Sequence, residues 1–237
     1  MTLIHQITDT HIPVTGDMRV RDNFLELIVY SESIGPDMLV LTGDLPGEDG
    51  NREVYEWIRA SLPADIPHIV IPGNHDDPVV LFEVFQGGLN TNPDFCEKIA
   101  LNEIDLVFVN TASTRLPEDQ LLFLQNEEIR PGSILFIHHP TREISGGFMD
   151  TNYPLLNRNV VDTAIAASHI SHVFCGHFHT EFEEHAEYHL YVTPSPAFDV
   201  DRDSLEPVIG PPRVPLREIV VEGRQVSTKM IYLGTSD

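Results

Sequence analysis

Cysteine, lysine and long apolar runs are all scarce in this chain, and each scarcity narrows what it can be. Its 237 residues include two cysteines, Cys96 and Cys175. A small disulfide scaffold needs more of them and an oxidising compartment, and no pair is spaced for a thiolate zinc site. Cys175 sits in the apolar run Val173-Phe174-Cys175 and is expected as a buried thiol. The only lysines are Lys98 and Lys229, and 14 basic residues against 37 acidic ones leave a net charge of −23. Nucleic-acid backbones are gripped by clustered Lys and Arg, so long nucleic acid is not an expected partner. No apolar run approaches the roughly 20 residues of a membrane span, so no membrane partner is expected. The start, Met-Thr-Leu-Ile-His-Gln-Ile-Thr-Asp, lacks the basic and apolar regions of a secretory signal, and a cytoplasmic location is the expectation.

What is present is a repeated device. Leu3 to Ile7 is a short apolar-rich run that stops at Thr8-Asp9-Thr10-His11. A helix is expected from the capping-type pair Asp22-Asn23 to near Gly35-Pro36. Met38 to Leu41 is the next strand, breaking at Thr42-Gly43-Asp44. Val54, Trp57, Ile58 and Leu62 share one face of a helix over 51–62 that stops at Pro63. His68 to Ile71 is the third strand, followed by Pro72-Gly73-Asn74-His75-Asp76-Asp77. Ligands of α/β sheets bind at the carboxyl ends of strands, so consecutive polar strand ends imply one shared site.

The pattern continues downstream. After a short helix at 78–85 come a hairpin (97–100 and 104–110) and a helix over 117–129 with acidic residues in its first turn. The strand Ser133 to Ile137 breaks at His138-His139-Pro140. The segment 141–158 has no clear period and reads either as a lid or as a surface loop. A helix over 159–168 precedes a strand, 172–175, that ends in Gly176-His177-Phe178-His179. Later strand-like runs, 188–192, 217–221 and 226–233, follow without a second globular domain. The expectation is one domain, 1–237, with strands from about 181 completing a second sheet or offering a homodimer edge.

Asp9, His11, Asp44, Asn74, His75, His138, His139, His177 and His179 are thus gathered from five strand ends. A mixed Asp, Asn and His set suits Zn, Fe or Mn better than Ca or Mg, which prefer all-oxygen shells. The surplus over one four-coordinate ion argues for two transition-metal ions, divalent or mixed-valence, with Asp44 as the bridge. Two ions roughly 3.5 to 4 Å apart lower the pKa of a shared water and clamp an in-line displacement at phosphorus. Each piece alone has a plainer reading: Asp-x-His pairs occur in solvated loops, and Gly-Asp is most often a turn. Order and position together carry the signal.

These blocks, Asp-x-His, Gly-Asp, Gly-Asn-His-Asp, His-x-Pro and Gly-His-x-His, resemble the calcineurin-like metallophosphoesterases. The resemblance implies an α/β fold, a four-layer α-β-β-α sandwich of two mixed sheets flanked by helices. It also implies that Asp9, His11, Asp44 and His179 hold one ion, and that Asp44, Asn74, His138 and His177 hold the other. Gln6 to His11, Ile71 to Asp77, His138-His139-Pro140 and Thr193-Pro194-Ser195 look most like class III cyclic nucleotide phosphodiesterases and related glycerophosphodiesterases. Those groups usually carry a second proline where this chain has Thr141.

The function this implies is hydrolysis of a small phosphodiester, a 3′,5′-cyclic nucleotide first, by a metal-bridging hydroxide. His75 is the expected catalytic group and Asp76 the carboxylate orienting it, with a loop-capping role as the plainer reading of Asp76. Arg142 is placed either against substrate phosphate or in solvent. The rival readings are a phosphomonoesterase or glycerophosphodiesterase using the same centre, and a scaffold without catalysis that binds only.

Overall fold

The computed structural model describes residues 1–16, 18–126 and 128–234. Alternation along the strands sorts the chain into layers. In β1 (Thr2–Ile7) and β2 (Met38–Leu41), Ile7, Leu39 and Leu41 face one apolar cluster, whereas Ile4, Met38 and Val40 face another. Period-two side-chain direction makes both faces of these strands apolar, as a strand buried on both sides requires. β3 (His68–Val70) pairs parallel with β2, and β2 with β1. The crossovers are α1 (Arg19–Ile34) and α2 (Arg52–Ser61), and α3 (Pro78–Phe85) follows β3. Phe24, Leu27, Tyr55, Ile58 and Leu81 from these helices cover the outer face of the sheet.

The second half repeats the plan. β4 (Glu97–Leu101) and β5 (Ile104–Phe108) form the expected hairpin, and α4 (Glu118–Leu124) leads to β6 (Ser133–Phe136). A short α5 (Phe148–Asn152), then α6 (Arg158–Ala166), precede β7 (Ile170–Cys175), β8 (Phe182–His185) and β9 (His189–Val192). β10 (Asp199–Val200) and β11 (Ile209–Gly210) make a small separate hairpin, and β12 (Pro215–Glu222) and β13 (Gln225–Tyr232) close the chain. The strand orders are β13-β12-β1-β2-β3 and β4-β5-β6-β7-β9-β8. Ile4, Val40, Ile69 and Ile219 of one sheet meet Phe108, Phe136, Phe174 and Tyr191 of the other, and Val161 and Ile165 of α6 cover the second sheet's far side. Helices, sheet, sheet and helices are therefore stacked as the four-layer expectation requires.

Three expectations need correction. The strands after residue 181 divide: β8 and β9 extend the second sheet, but β12 and β13 complete the first. The reason is that β12 lies antiparallel on β1, Leu3 opposite Val220, and turns Leu216 to the helices and Ile219 and Val221 to the inter-sheet core. α1 begins at Arg19, and no side chain caps it. Asn23 instead donates to the Pro196 carbonyl, and Asp22 sits in the first turn, where the helix dipole favours it. α4 stops at Leu124 because the Asn126 side chain accepts from the Glu128 N–H, a local bond that competes with helix. Glu127, inside the range expected as helix, lies outside the described residues. Among the described residues no helix is long and apolar enough to cross a membrane.

Candidate metal centre

The polar residues at the carboxyl ends of β1, β2, β3, β6 and β7 meet at one place, although they come from both sheets. Asp9, Asp44, His138, His139, His177 and His179 are all buried there. Their backbones are bent to do so: φ is positive at Asp9 (51°), His11 (42°), Asp44 (52°), His177 (68°) and His179 (52°). Left-handed conformations are unfavourable for residues with a Cβ, and their concentration here is strain held by the surrounding fold. Neighbouring glycines allow the approach. A Cβ on Gly176 would lie 2.1 Å from both the Asp9 Oδ2 and the Thr8 hydroxyl.

Three histidines of the cluster have one ring nitrogen committed to the main chain. Nδ1 of His138 donates to the Thr42 carbonyl at 2.8 Å, Nε2 of His177 to the Tyr153 carbonyl at 2.9 Å, and Nδ1 of His179 to the Phe198 carbonyl at 3.1 Å. Such bonds fix the tautomer and leave the other nitrogen's lone pair for the centre. His138 Nε2 lies 3.3 Å and His11 Nε2 3.8 Å from Asp44 Oδ2, while His179 Nε2 lies 3.3 Å from Asp9 Oδ1. Asp9 Oδ2 accepts from Thr8 and from the His177 N–H, and Asp44 Oδ1 accepts from the His75 N–H.

These contacts fit bound cations. Asp9 Oδ1, Asn74 Oδ1, His138 Nε2 and His139 Nε2 are buried with no hydrogen-bond partner, which is costly unless an ion takes them. Three overlapping sets lie close enough to hold metal: Asp9, His11 and His179; Asp9, Asp44 and His138; and His138, His139 and His177. Burial and the two carboxylates act on the cluster in opposite directions. Burial pushes the Asp44 carboxyl up, but His138 and His11 outweigh it and hold it well below its ordinary value. Burial likewise lowers His138, yet the Asp44 and Asp9 carboxylates raise it to about 9, so its proton stands where a cation would compete. Burial holds His177 down to about 4 and His11 to about 3, keeping both in the neutral, ligand-competent form.

His75 lies beside this cluster, its ring 5.1 Å from that of His11. The expected Asp76 partnership is corrected: the carboxylate on His75 Nδ1 is Asp49, 3.1 Å away. Asp76 is buried, and its oxygens accept from the N–H groups of Asp44, Gly73 and Leu45 and from the Tyr55 hydroxyl. It joins the β2 and β3 loops, with burial and nearby Asp44 raising it to about 7. Arg142 faces no phosphate site. It binds Asp162, Glu184 and Glu187 and lies over the Tyr188 ring. His139, left out of the expected ligand set, presents its unpartnered Nε2 to the cluster and holds Thr111 with Nδ1. Only the doublet with His138 marks it in the sequence, and Asp49 in its glycine-flanked loop has no such mark.

A cavity of about 360 Å³ opens over His11, Asp44, Asn74, His75, His177 and His179. The rest of its lining comes from Phe148, Met149 and Tyr153 and from Phe198, Val200, Pro207 and Ile209. The 141–158 segment that lines it is tied down, since the Asp150 carboxylate accepts from the N–H groups of Ile144, Ser145 and Gly146.

Known proteins share this frame. The chain is 31% identical over 208 residues to a probable cyclic nucleotide phosphodiesterase of Fibrobacter succinogenes, covering 84% of this chain and 81% of that protein. It is 25% identical to a 3′,5′-cyclic-nucleotide phosphodiesterase of Nostoc (85% and 80% covered), and 27% identical to a probable glycerophosphodiester phosphodiesterase of Arcobacter nitrofigilis (75% and 71%). A dimetal phosphatase from Danio rerio superposes with a TM-score of 0.67 over 98% of both chains, at 11% identity, which speaks to fold alone. The family model for calcineurin-like phosphoesterases matches residues 2–181. Every strand end that feeds the cluster falls inside that match, and the chain belongs to the calcineurin-like phosphoesterase family, a family of hydrolases acting on phosphate esters.

Proposed function

We propose that this chain hydrolyses a small phosphodiester, with 3′,5′-cyclic nucleotides as the leading substrates. The observation that carries the reading is a set of unpartnered buried atoms, Asn74 Oδ1 in the lining of a cavity of small-molecule size and Asp9 Oδ1 and His138 Nε2 each 3.3 Å from a lining residue, His179 and Asp44 respectively, with a partly exposed histidine in the same lining. Asp9, His11, Asp44 and His179 would hold one divalent ion, and Asp44, Asn74, His138 and His177 the other. When bound, two such ions polarise phosphoryl oxygens and lower the pKa of water. The chain's own groups do the rest. Asp44 Oδ2 lies near both His138 and His11, the position from which a carboxylate could serve both ions. Carbonyls of Thr42, Tyr153 and Phe198 hold three imidazoles in the required tautomer. Asp49 orients His75, whose protonated Nε2 gives its proton to the departing alcohol oxygen as water oxygen bonds to phosphorus and the ester P–O bond breaks, and the proton released by the attacking water restores the imidazolium. Asp76 braces the loop and does not touch the reacting atoms.

Two relatives bear cyclic-nucleotide names and one a glycerophosphodiester name, and in each name the substrate is a diester. The deciding experiment compares bis(p-nitrophenyl) phosphate, p-nitrophenyl phosphate, cyclic AMP, cyclic GMP and a glycerophosphodiester after Mn loading. Diester turnover well above monoester turnover is expected. A strong monoester preference overturns the reading.

A further inference from the structure

The apolar part of the cavity lining is built from two segments that are distant in sequence and fastened to one another. Phe148 N–H donates to the Ser204 carbonyl at 2.7 Å, and the Ser145 hydroxyl donates to the Arg202 carbonyl. Gly147 allows this contact, because a Cβ there would lie 1.9 Å from the Arg202 carbonyl oxygen. The α5 segment and the β10–β11 hairpin therefore form one fixed surface rather than two independent loops. Its position is set relative to the metal ligands as well: the Tyr153 carbonyl accepts from His177, the Phe198 carbonyl accepts from His179, and the Phe198 ring packs 4.2 Å from the His179 ring.

This surface has a chemistry of its own. The polar lining side chains of the cavity belong to the ligand cluster and His75, apart from the Tyr153 hydroxyl. The remaining lining side chains include Phe148, Met149, Phe198, Val200 and Ile209, which have carbon or thioether sulfur to offer and no side-chain hydrogen bond. A polyol such as glycerol would lose water from its hydroxyls here without regaining partners, which is unfavourable. A flat ring loses little, since its faces can lie on aromatic and aliphatic side chains while its polar edge stays at the solvent-facing mouth.

We infer that the Phe148–Ile209 wall seats a planar ring carried by the substrate phosphodiester, and that it holds this ring by stacking without reading its hydrogen-bonding edge. The inference rests on the phosphodiesterase reading above and adds the substrate class: ring-bearing diesters, with tolerance toward which ring. Stacking is indifferent to base identity because every base has a π-face. Adenine, guanine and uracil should then be accepted alike, and glycerophosphodiesters poorly.

The test uses the metal-loaded full chain and cyclic 3′,5′-phosphates of adenosine, guanosine, uridine and 1-deoxyribose, the last lacking a base. All four break the same kind of P–O bond. The three nucleotides are expected within about tenfold of each other in kcat/KM, and the base-free compound about ten- to a hundredfold lower, chiefly through KM. Ile209→Ala and Phe148→Ala should bring the ratio between base-bearing and base-free substrates toward one. Ile209 is 66% exposed, so its variant tests the wall without risk to the core. Equal kcat/KM with and without the base overturns the inference while phosphodiester hydrolysis still stands. A spread above a hundredfold among the bases also overturns it, because that requires edge readout. Turnover of p-nitrophenyl phosphate with none of any diester removes the underlying reading instead.

Discussion

Nε2 of His11 and Nε2 of His179 stand 3.0 Å apart, on loops at the ends of β1 and β7. His179 already donates through Nδ1 to the Phe198 carbonyl, so its Nε2 carries a lone pair. Two imidazole nitrogens aimed at each other with Asp9 Oδ1 3.3 Å from one of them make a cation-binding geometry. Metal that binds the folded chain stabilises it by about 3–4 kcal/mol at 100 to 1,000 times its Kd. Chelation should therefore abolish phosphodiester turnover and lower Tm by about 5–15 °C, with both restored by Mn or Zn. Metal analysis is expected to find two ions per chain in the wild type and fewer in His179→Ala. An unchanged Tm and metal content after chelation would sink the metal assignment.

The two acidic neighbours of His75 should separate cleanly. His75→Ala should lower kcat by about 10²–10⁴-fold with little change in Tm, since its side chain is 40% exposed. Asp49→Asn, at a more exposed oxygen, should cost only a few-fold in kcat. Asp76→Ala removes the acceptor of three N–H groups and the Tyr55 hydroxyl, all in buried surroundings. Each buried donor left unpaired costs about 1–3 kcal/mol, so urea unfolding should show a loss of several kcal/mol. Comparable kcat losses with unchanged stability in Asp49 and Asp76 variants would restore Asp76 as the partner of His75.

Gly176→Ala should damage metal binding without touching a ligand. Its Cβ would overlap Asp9 Oδ2 and the Thr8 hydroxyl at 2.1 Å, forcing Asp9 out of place. Overpacking of this kind costs about 1–3 kcal/mol or more. The expected result is a folded protein with reduced metal content; wild-type content would show that the β1 and β7 loops can part.

Much of this centre was legible because strands buried on both faces read as apolar runs, so Asp9, Asp44, Asn74, His138 and His177 appear as abrupt polar endings. What escaped has long-range or aperiodic causes. Asp49 meets His75 across 26 residues of chain, and β12 finds β1 through the Leu3–Val220 pairing, which no local pattern announces. Asp76 follows His75 in sequence, yet the turn after β3 directs its carboxylate back to β2. The cavity wall was unreadable for a similar reason. α5 is five residues long, too short for a helical period, and its hairpin partner begins some 50 residues later.

Acid should weaken the fold through histidines that have no part in the metal centre. His172 of β7, His189 of β9 and His185 of β8 are directly paired across three strands, with rings 4.8 Å and 4.4 Å apart. Burial, reinforced by His189 and His185, lowers His172 to about 4, and Glu222 and Arg224 line the same hollow. His5, fully buried against Ser31, is lowered to about 4 by burial despite an opposing pull from Glu218. Both groups are neutral in the fold and bind protons more readily in the unfolded chain. Their contribution is therefore complete above pH 6.5 and is lost as pH falls from 6.5 toward 4, by up to about 1.4 kcal/mol per pH unit per group. Partial exposure of His172 reduces its share to about 1–2 kcal/mol over the window. His172→Phe keeps the stack with Tyr191 and removes the titration. Urea unfolding of wild type and variant from pH 7.5 to 4.5, both in chelator, isolates the effect. The variant should gain relative stability only below about pH 6.5, and parallel pH profiles would show that His172 titrates alike in both states.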